Sequence, residues 1–134
     1  MKDNSGVKTL VQLAALLGAS GVGFGALGAH AMQKTLLQRN MLESYKTAVL
    51  YQLLHAVSIL GVASLEAASS ASNRDGSTSP LVRAGKAMAL GTTLFSGSIY
   101  CLCFGVGPKK VMGPTTPIGG LIMIGGWVML GLAA

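Results

Sequence analysis

Two histidines stand out in a chain where titratable groups are scarce. His30 ends the stretch Phe24-Gly25-Ala26-Leu27-Gly28-Ala29, and His55 lies in a second apolar stretch behind Gln52 and ahead of Ser58. Gln52, His55 and Ser58 are spaced three apart, which stacks them on one face of a helix. Ser96 and Ser98 sit in a third apolar stretch. Three chemistries are open to this set. His30 and His55 could be axial ligands of a haem, stations on a proton path, or contacts for a quinone-like hydrophobic ligand. The structural alternative is an interhelical hydrogen-bond network, each bond contributing about 1 kcal/mol or less. That network is the expectation, because an unpaired polar group in lipid costs several kcal/mol and must find a partner. No carboxylate lies deep in an apolar run to complete a proton relay. Glu66 stands at the edge of one and is expected to be solvated.

Other chemistry lacks its residues. The Gly-x-Gly patterns fall inside apolar runs and cannot cradle phosphate. No metal-ligand spacing and no nucleophile beside a base occur, so the expectation is a non-enzyme without metal or cofactor. Cys101 and Cys103 would point about 200° apart on a helix. They neither pair nor share a metal easily and read as apolar fillers.

The elements that must position these side chains are membrane helices. Of 134 residues, 51% are hydrophobic and only 10% charged, against about 25% charged in a soluble domain. A soluble chain this short could not hide so much apolar surface. The net charge of +6 comes from basic residues flanking the apolar runs, which suits lipid headgroups. No basic stripe with interleaved aromatics points to nucleic acid. The expected fold class is all-α: an integral membrane four-helix bundle of two helical hairpins, both termini on the same side, in a single transmembrane domain.

The expected helices are residues 9–31, 41–66, 80–106 and 117–133. The first could also be read as a secretory signal peptide, but it is long for a signal core and rich in glycine. Asn40 and Glu43 have capping-box spacing ahead of the second. Ser79-Pro80 and Thr116-Pro117 pair a cap with a proline at the start of the third and fourth. Residues 67–79 form a flexible polar loop. Trp127 sits too deep for an interface anchor and is expected to pack on another helix. Orientation stays open. Lys2, Lys8, Arg74, Arg83 and Lys86 on the terminus side balance Lys34, Arg39, Lys46, Lys109 and Lys110 on the other.

Nineteen glycines supply the packing signal. Small residues let helix backbones approach in lipid, where hydrophobic drive between helices is weak. Gly18, Gly21, Gly25, Gly28, Gly97, Gly119, Gly120 and Gly126 are the expected packing positions. Glycines left over would serve a partner.

Four blocks resemble a known pattern: Phe24-Gly25-Ala26-Leu27-Gly28-Ala29-His30-Ala31; Lys46-Thr47-Ala48-Val49 with Tyr51-Gln52 and His55-Ala56; Phe95-Ser96-Gly97-Ser98-Ile99-Tyr100; and Thr116-Pro117-Ile118-Gly119-Gly120 with Gly126-Trp127. In this order they resemble the YgdD/YwdK-like family of small bacterial membrane proteins of unknown function with eukaryotic relatives. The resemblance implies four transmembrane helices and supplies no reaction. The loop over residues 67–79 is longer than the bacterial pattern. This implies a eukaryotic version, and eukaryotic relatives are associated with mitochondria. The expected location is therefore the mitochondrial inner membrane, with the bacterial plasma membrane as the alternative.

The functional expectation is a non-catalytic accessory or assembly subunit of a larger, energy-converting (respiratory-type) membrane complex. Its partners would be other membrane subunits and lipids. The alternative is a small transporter or hydrophobic-ligand-binding bundle that uses the His/Gln stripe.

Overall fold

The computed structural model describes residues 4–69 and 79–134. Five helices follow in order: α1 (Ser5–Ala29), α2 (Gln33–Gln38), α3 (Leu42–Ser69), α4 (Pro80–Phe104) and α5 (Lys109–Ala133). All but α2 are long and apolar enough to cross a bilayer. A 25-residue helix extends about 38 Å, which covers a hydrocarbon core of about 30 Å with a turn to spare. Helices are forced here, because backbone amides in lipid must be satisfied within the segment.

The long helices alternate in direction. Gly28 of α1 meets Tyr45 near the start of α3, and Gly18 meets Ala56 deeper in. Ala48 of α3 accepts from Ser96 of α4. Thr116 near the start of α5 meets Ser98 of α4. Both termini therefore lie on one side. There, Val7, Leu130 and Ala133 pack on a cluster that includes Leu10, Leu81 and Val82. The helices form an open row rather than a closed square: α1 packs on α3, α3 on α4, and α5 mainly on α4. The apolar core divides in two. The terminus half is aliphatic, built on Leu10, Ile59, Val62 and Met88. The connector half is aromatic, built on Tyr45 and Tyr100 with Phe24 and Phe104 against them.

The ends differ from expectation in four places. Residues 32–41 hold the short helix α2, closed by Asn40 at φ 54. Met41 N–H bonds Leu36 C=O and Asn40 N–H bonds Leu37 C=O, a Schellman closure with asparagine in the left-handed position. Asn40 thus ends α2 instead of capping α3. Second, α4 stops at Phe104 rather than at residue 106, because Gly105 turns left-handed (φ 67). Val106 N–H bonds Cys101 C=O, and Gly105 N–H bonds Leu102 C=O.

Third, α5 starts at Lys109, not residue 117, and runs through Pro114 and Pro117. Each proline removes one backbone donor. The Thr115 and Thr116 hydroxyls donate to the Val111 and Met112 carbonyls one turn back, while the carbonyls that lose an N–H partner to the prolines are those of Lys110 and Gly113, four residues before each. Fourth, Glu66 is not solvated. It is 8% exposed and accepts from Ser79 Oγ at 2.5 Å. Ser79 also caps α4 by accepting from Leu81 N–H, with Pro80 at the first turn as expected. The expected loop over residues 67–79 lies mostly outside the described residues: 70–78 are not among them, and 67–69 continue α3.

Candidate functional site

The intramembrane stripe is built on α3. Gln52 is 4% exposed, and its amide joins three helices. Its Nε2 donates to Leu17 C=O at 2.9 Å and to Ser20 Oγ at 2.8 Å on α1. Its Oε1 accepts from Tyr100 Oη of α4 at 2.7 Å. Ser20 passes its own proton back to Leu16 C=O. Both amide donors are used, so this side chain is spent on holding α1, α3 and α4 together. Gly21 makes the approach possible, since a Cβ there would lie 2.8 Å from Leu53 Cδ2 and 3.4 Å from the Gln52 amide carbon.

His55, one turn further in, joins α3 to α5. Its Nδ1 lies 2.8 Å from Tyr51 C=O, and Trp127 Nε1 donates to its Nε2 at 3.2 Å. A carbonyl only accepts and an indole N–H only donates. These partners assign a neutral ring with the proton on Nδ1. The Tyr51 ring stacks on the imidazole, and the Trp127 ring meets it edge-on. Trp127 is 47% exposed, so it packs on α3 from the outer surface.

Ser96 and Ser98 each tie α4 to a different neighbour. Ser96 Oγ donates to Ala48 C=O of α3 at 2.7 Å. Ser98 Oγ lies 2.6 Å from Thr116 Oγ1 of α5. Two of the six stripe residues do not join. Ser58 bonds only Leu54 C=O of its own helix. His30 is exposed at the C-cap of α1, beyond the apolar span, whereas His55 is buried between α3 and α5. The structure does not bring the two histidines together. Among the described residues, no buried side-chain nitrogen or oxygen lacks a hydrogen-bond partner, and no three His, Cys, Asp or Glu side chains gather as a metal site.

The stripe has partners outside the expected set: Ser20, Tyr100 and Thr116. Each is a hydroxyl in an apolar run, the same signal that singled out Ser96. Tyr45 Oη donates to Phe24 C=O, and its ring lies over Gly28 where any Cβ would stand. The Phe24 and Tyr100 rings stack at 4.3 Å beside it. Arg39, one of the basic residues expected at the headgroups, also caps α4 through Nη1 at Cys103 C=O, 3.2 Å away.

The glycines separate into three groups. Gly91, Gly119 and Gly126 bring α4 and α5 into backbone contact. A Cβ at Gly91 would lie 2.6 Å from Met123 N, one at Gly126 3.0 Å from Met88 N, and one at Gly119 would overlap Phe95 N. Gly21, Gly28 and Gly85 make room for side chains, while Gly18, Gly25 and Gly120 stand at ordinary packing distance. Gly97 belongs to the third group: among the described residues nothing lies within 4 Å of its Cβ position, and the same holds for Gly23, Gly61, Gly113, Gly125 and Gly131. Gly97 is therefore not an internal packing position. It is half-buried, with open space at its Cβ position among the described residues.

A family model described as a protein of unknown function (DUF423) matches residues 24–120. A fission yeast (Schizosaccharomyces pombe) UPF0382 membrane protein is 38% identical over 115 residues, covering 84% of this chain and 89% of its own. YwdK of Bacillus subtilis, also described as a UPF0382 membrane protein, is 32% identical and covers 85% of each chain. YgdD of Escherichia coli, described as a UPF0382 inner membrane protein, is 35% identical over 80% of this chain and 74% of its own. No solved structure matches. With four apolar helices and relatives of this kind, the protein is an integral membrane protein. The matched region carries Gln52 and Tyr100 of the junction and His55, while Leu17, Ser20 and Trp127 lie outside it, and the chain belongs to the DUF423 (UPF0382) family of membrane proteins of unknown function.

Proposed function

We propose that the protein is a non-catalytic accessory subunit of a larger membrane complex, held in place by helix faces that its own fold leaves open. The observation that carries this reading is the split among the glycines. A glycine inside a helix costs about 1 kcal/mol relative to alanine. At Gly91, Gly119 and Gly126 that cost is offset by close helix contact. At Gly23, Gly61, Gly97 and Gly125 nothing among the described residues lies within 4 Å of the Cβ position to offset it, and a neighbouring helix would. The polar side chains support the same reading, since Gln52, His55, Ser96 and Ser98 are taken up by bonds inside the protein.

The setting we propose is an energy-converting membrane, the mitochondrial inner membrane first and the bacterial plasma membrane as the alternative. The description of the Escherichia coli relative as an inner membrane protein supports an inner, energised bilayer. The test is the native size of the endogenous protein in mild detergent, with mass spectrometry of co-migrating chains. Migration at fixed stoichiometry with a large complex is the expected result. Migration as a lone chain would overturn the reading.

A further inference from the structure

The open row of helices leaves a cleft at the connector end. α5 packs mainly on α4 and bonds α3 at Trp127 and His55, away from the connector end, and a space opens between the starts of α3 and α5. The space between them is about 430 Å³. Ile99 and Leu102 of α4 line it, with Met41, just ahead of α3, and Pro117 of α5 at its sides. Its polar lining is hydroxyl: Ser44, Thr47 and Thr116. Thr47 and Thr116 are bonded to backbone of their own helices. Ser44 makes no hydrogen bond among the described residues.

The mouth is cationic. Lys109 and Lys110 lie one turn ahead of Gly113, which lines the cleft, so they share its helix face. Lys46 adjoins Thr47, and all three lysines are exposed. Among the described residues this end also carries Lys34 and Arg39; Lys46 pairs with its one carboxylate, Glu43, at 3.2 Å, and Arg39 is engaged at Cys103 C=O, so the cations beside the cleft that have no ion-pair partner are Lys109 and Lys110. An apolar slot that opens sideways into the bilayer, under a cationic rim at headgroup level, matches one kind of molecule. We propose that the cleft holds an acyl chain of an anionic phospholipid, with its phosphate at Lys109 and Lys110 and its ester oxygens within reach of Ser44. Lysines near a membrane surface attract anionic headgroups individually and are screened by salt. This site stands whether or not the protein is a subunit of a complex.

The test uses the purified full chain in mild detergent, with native mass spectrometry reading retained lipid. The probes are phosphatidylglycerol and phosphatidylcholine with identical acyl chains. The wild type is expected to retain one phosphatidylglycerol at least about tenfold more tightly than phosphatidylcholine. Lys109→Gln with Lys110→Gln should erase that preference, at about fivefold per lysine. Gly113→Leu fills the slot and should lose both lipids, since nothing lies within 4 Å of its Cβ position to disturb the fold. Equal retention of the two lipids by the wild type, or an unchanged preference in the lysine double variant, would overturn the proposal. Should Gly113→Leu fail to fold, the lysine variant decides the matter alone.

Discussion

The α1–α3 seam and the α4–α5 seam both use glycine, and they use it differently. In α1–α3 the glycines receive side chains: Leu53 over Gly21 and the Tyr45 ring over Gly28. Hydrogen bonds from Gln52 and Tyr45 then lock the pair. In α4–α5 the glycines receive backbone, with Gly91 and Gly119 facing each other and Gly126 against Met88. Side chains can give by a few tenths of an ångström; backbone can give only by moving a helix. One seam is held by polar bonds with some slack, and the other by close approach with none. This is what lipid demands, because dispersion contact and interhelical hydrogen bonds are the forces that remain there.

The largest effect should come from breaking the tighter seam. Gly119→Ala puts a methyl group into Phe95 backbone and must part α4 from α5, at about 3 kcal/mol, the upper part of the usual overpacking range. Thermal unfolding in mild detergent should show it as a much lower midpoint than wild type, and a midpoint within a degree or two would mean the helices are not in backbone contact. Next comes Gln52→Leu, which removes three bonds worth on average about 0.6 kcal/mol each in a bilayer. A loss near 2 kcal/mol is expected from denaturant titration, and Tyr100→Phe in the same background should then add little, since its partner is already gone.

A smaller loss, below about 1 kcal/mol, is expected for Gly21→Ala by the same titration, because the Leu53 side-chain end can swing aside. If it matched Gly119→Ala, the contrast between the seams would be false. The smallest effect belongs to Gly97→Ala. With no neighbour within 4 Å, it should leave stability unchanged or raise it by about 1 kcal/mol through helix propensity.

Much of this arrangement is legible in the sequence, and the reason is physical. Lipid forces helices, so the absence of charge alone reveals four spans, and the rule that polar groups must pair points to Gln52, His55, Ser96 and Ser98. What the sequence hides is the identity of partners. Pairing depends on how helices are ordered in space, and no local spacing reveals that Gln52 meets Tyr100 or that Trp127 meets His55. The start of α5 is hidden because Thr116-Pro117 imitates a cap, whereas the helix begins at Lys109 and runs on through both prolines. Asn40 was misread for a related reason: asparagine suits both an N-cap and a left-handed closure, and α2 uses the second. Gly97 looked like the other glycines because a helix sequence does not say which face its neighbours occupy.

That last distinction carries the functional account, and one measurement reaches it directly. Gly23, Gly61, Gly97 and Gly125 are each changed to leucine, and two properties are read on each variant in mild detergent: the unfolding midpoint and the native size. The account predicts midpoints close to wild type together with loss of the large assembly for at least one of the four faces. Variants that all keep the wild-type native size, with their folds intact, would contradict it.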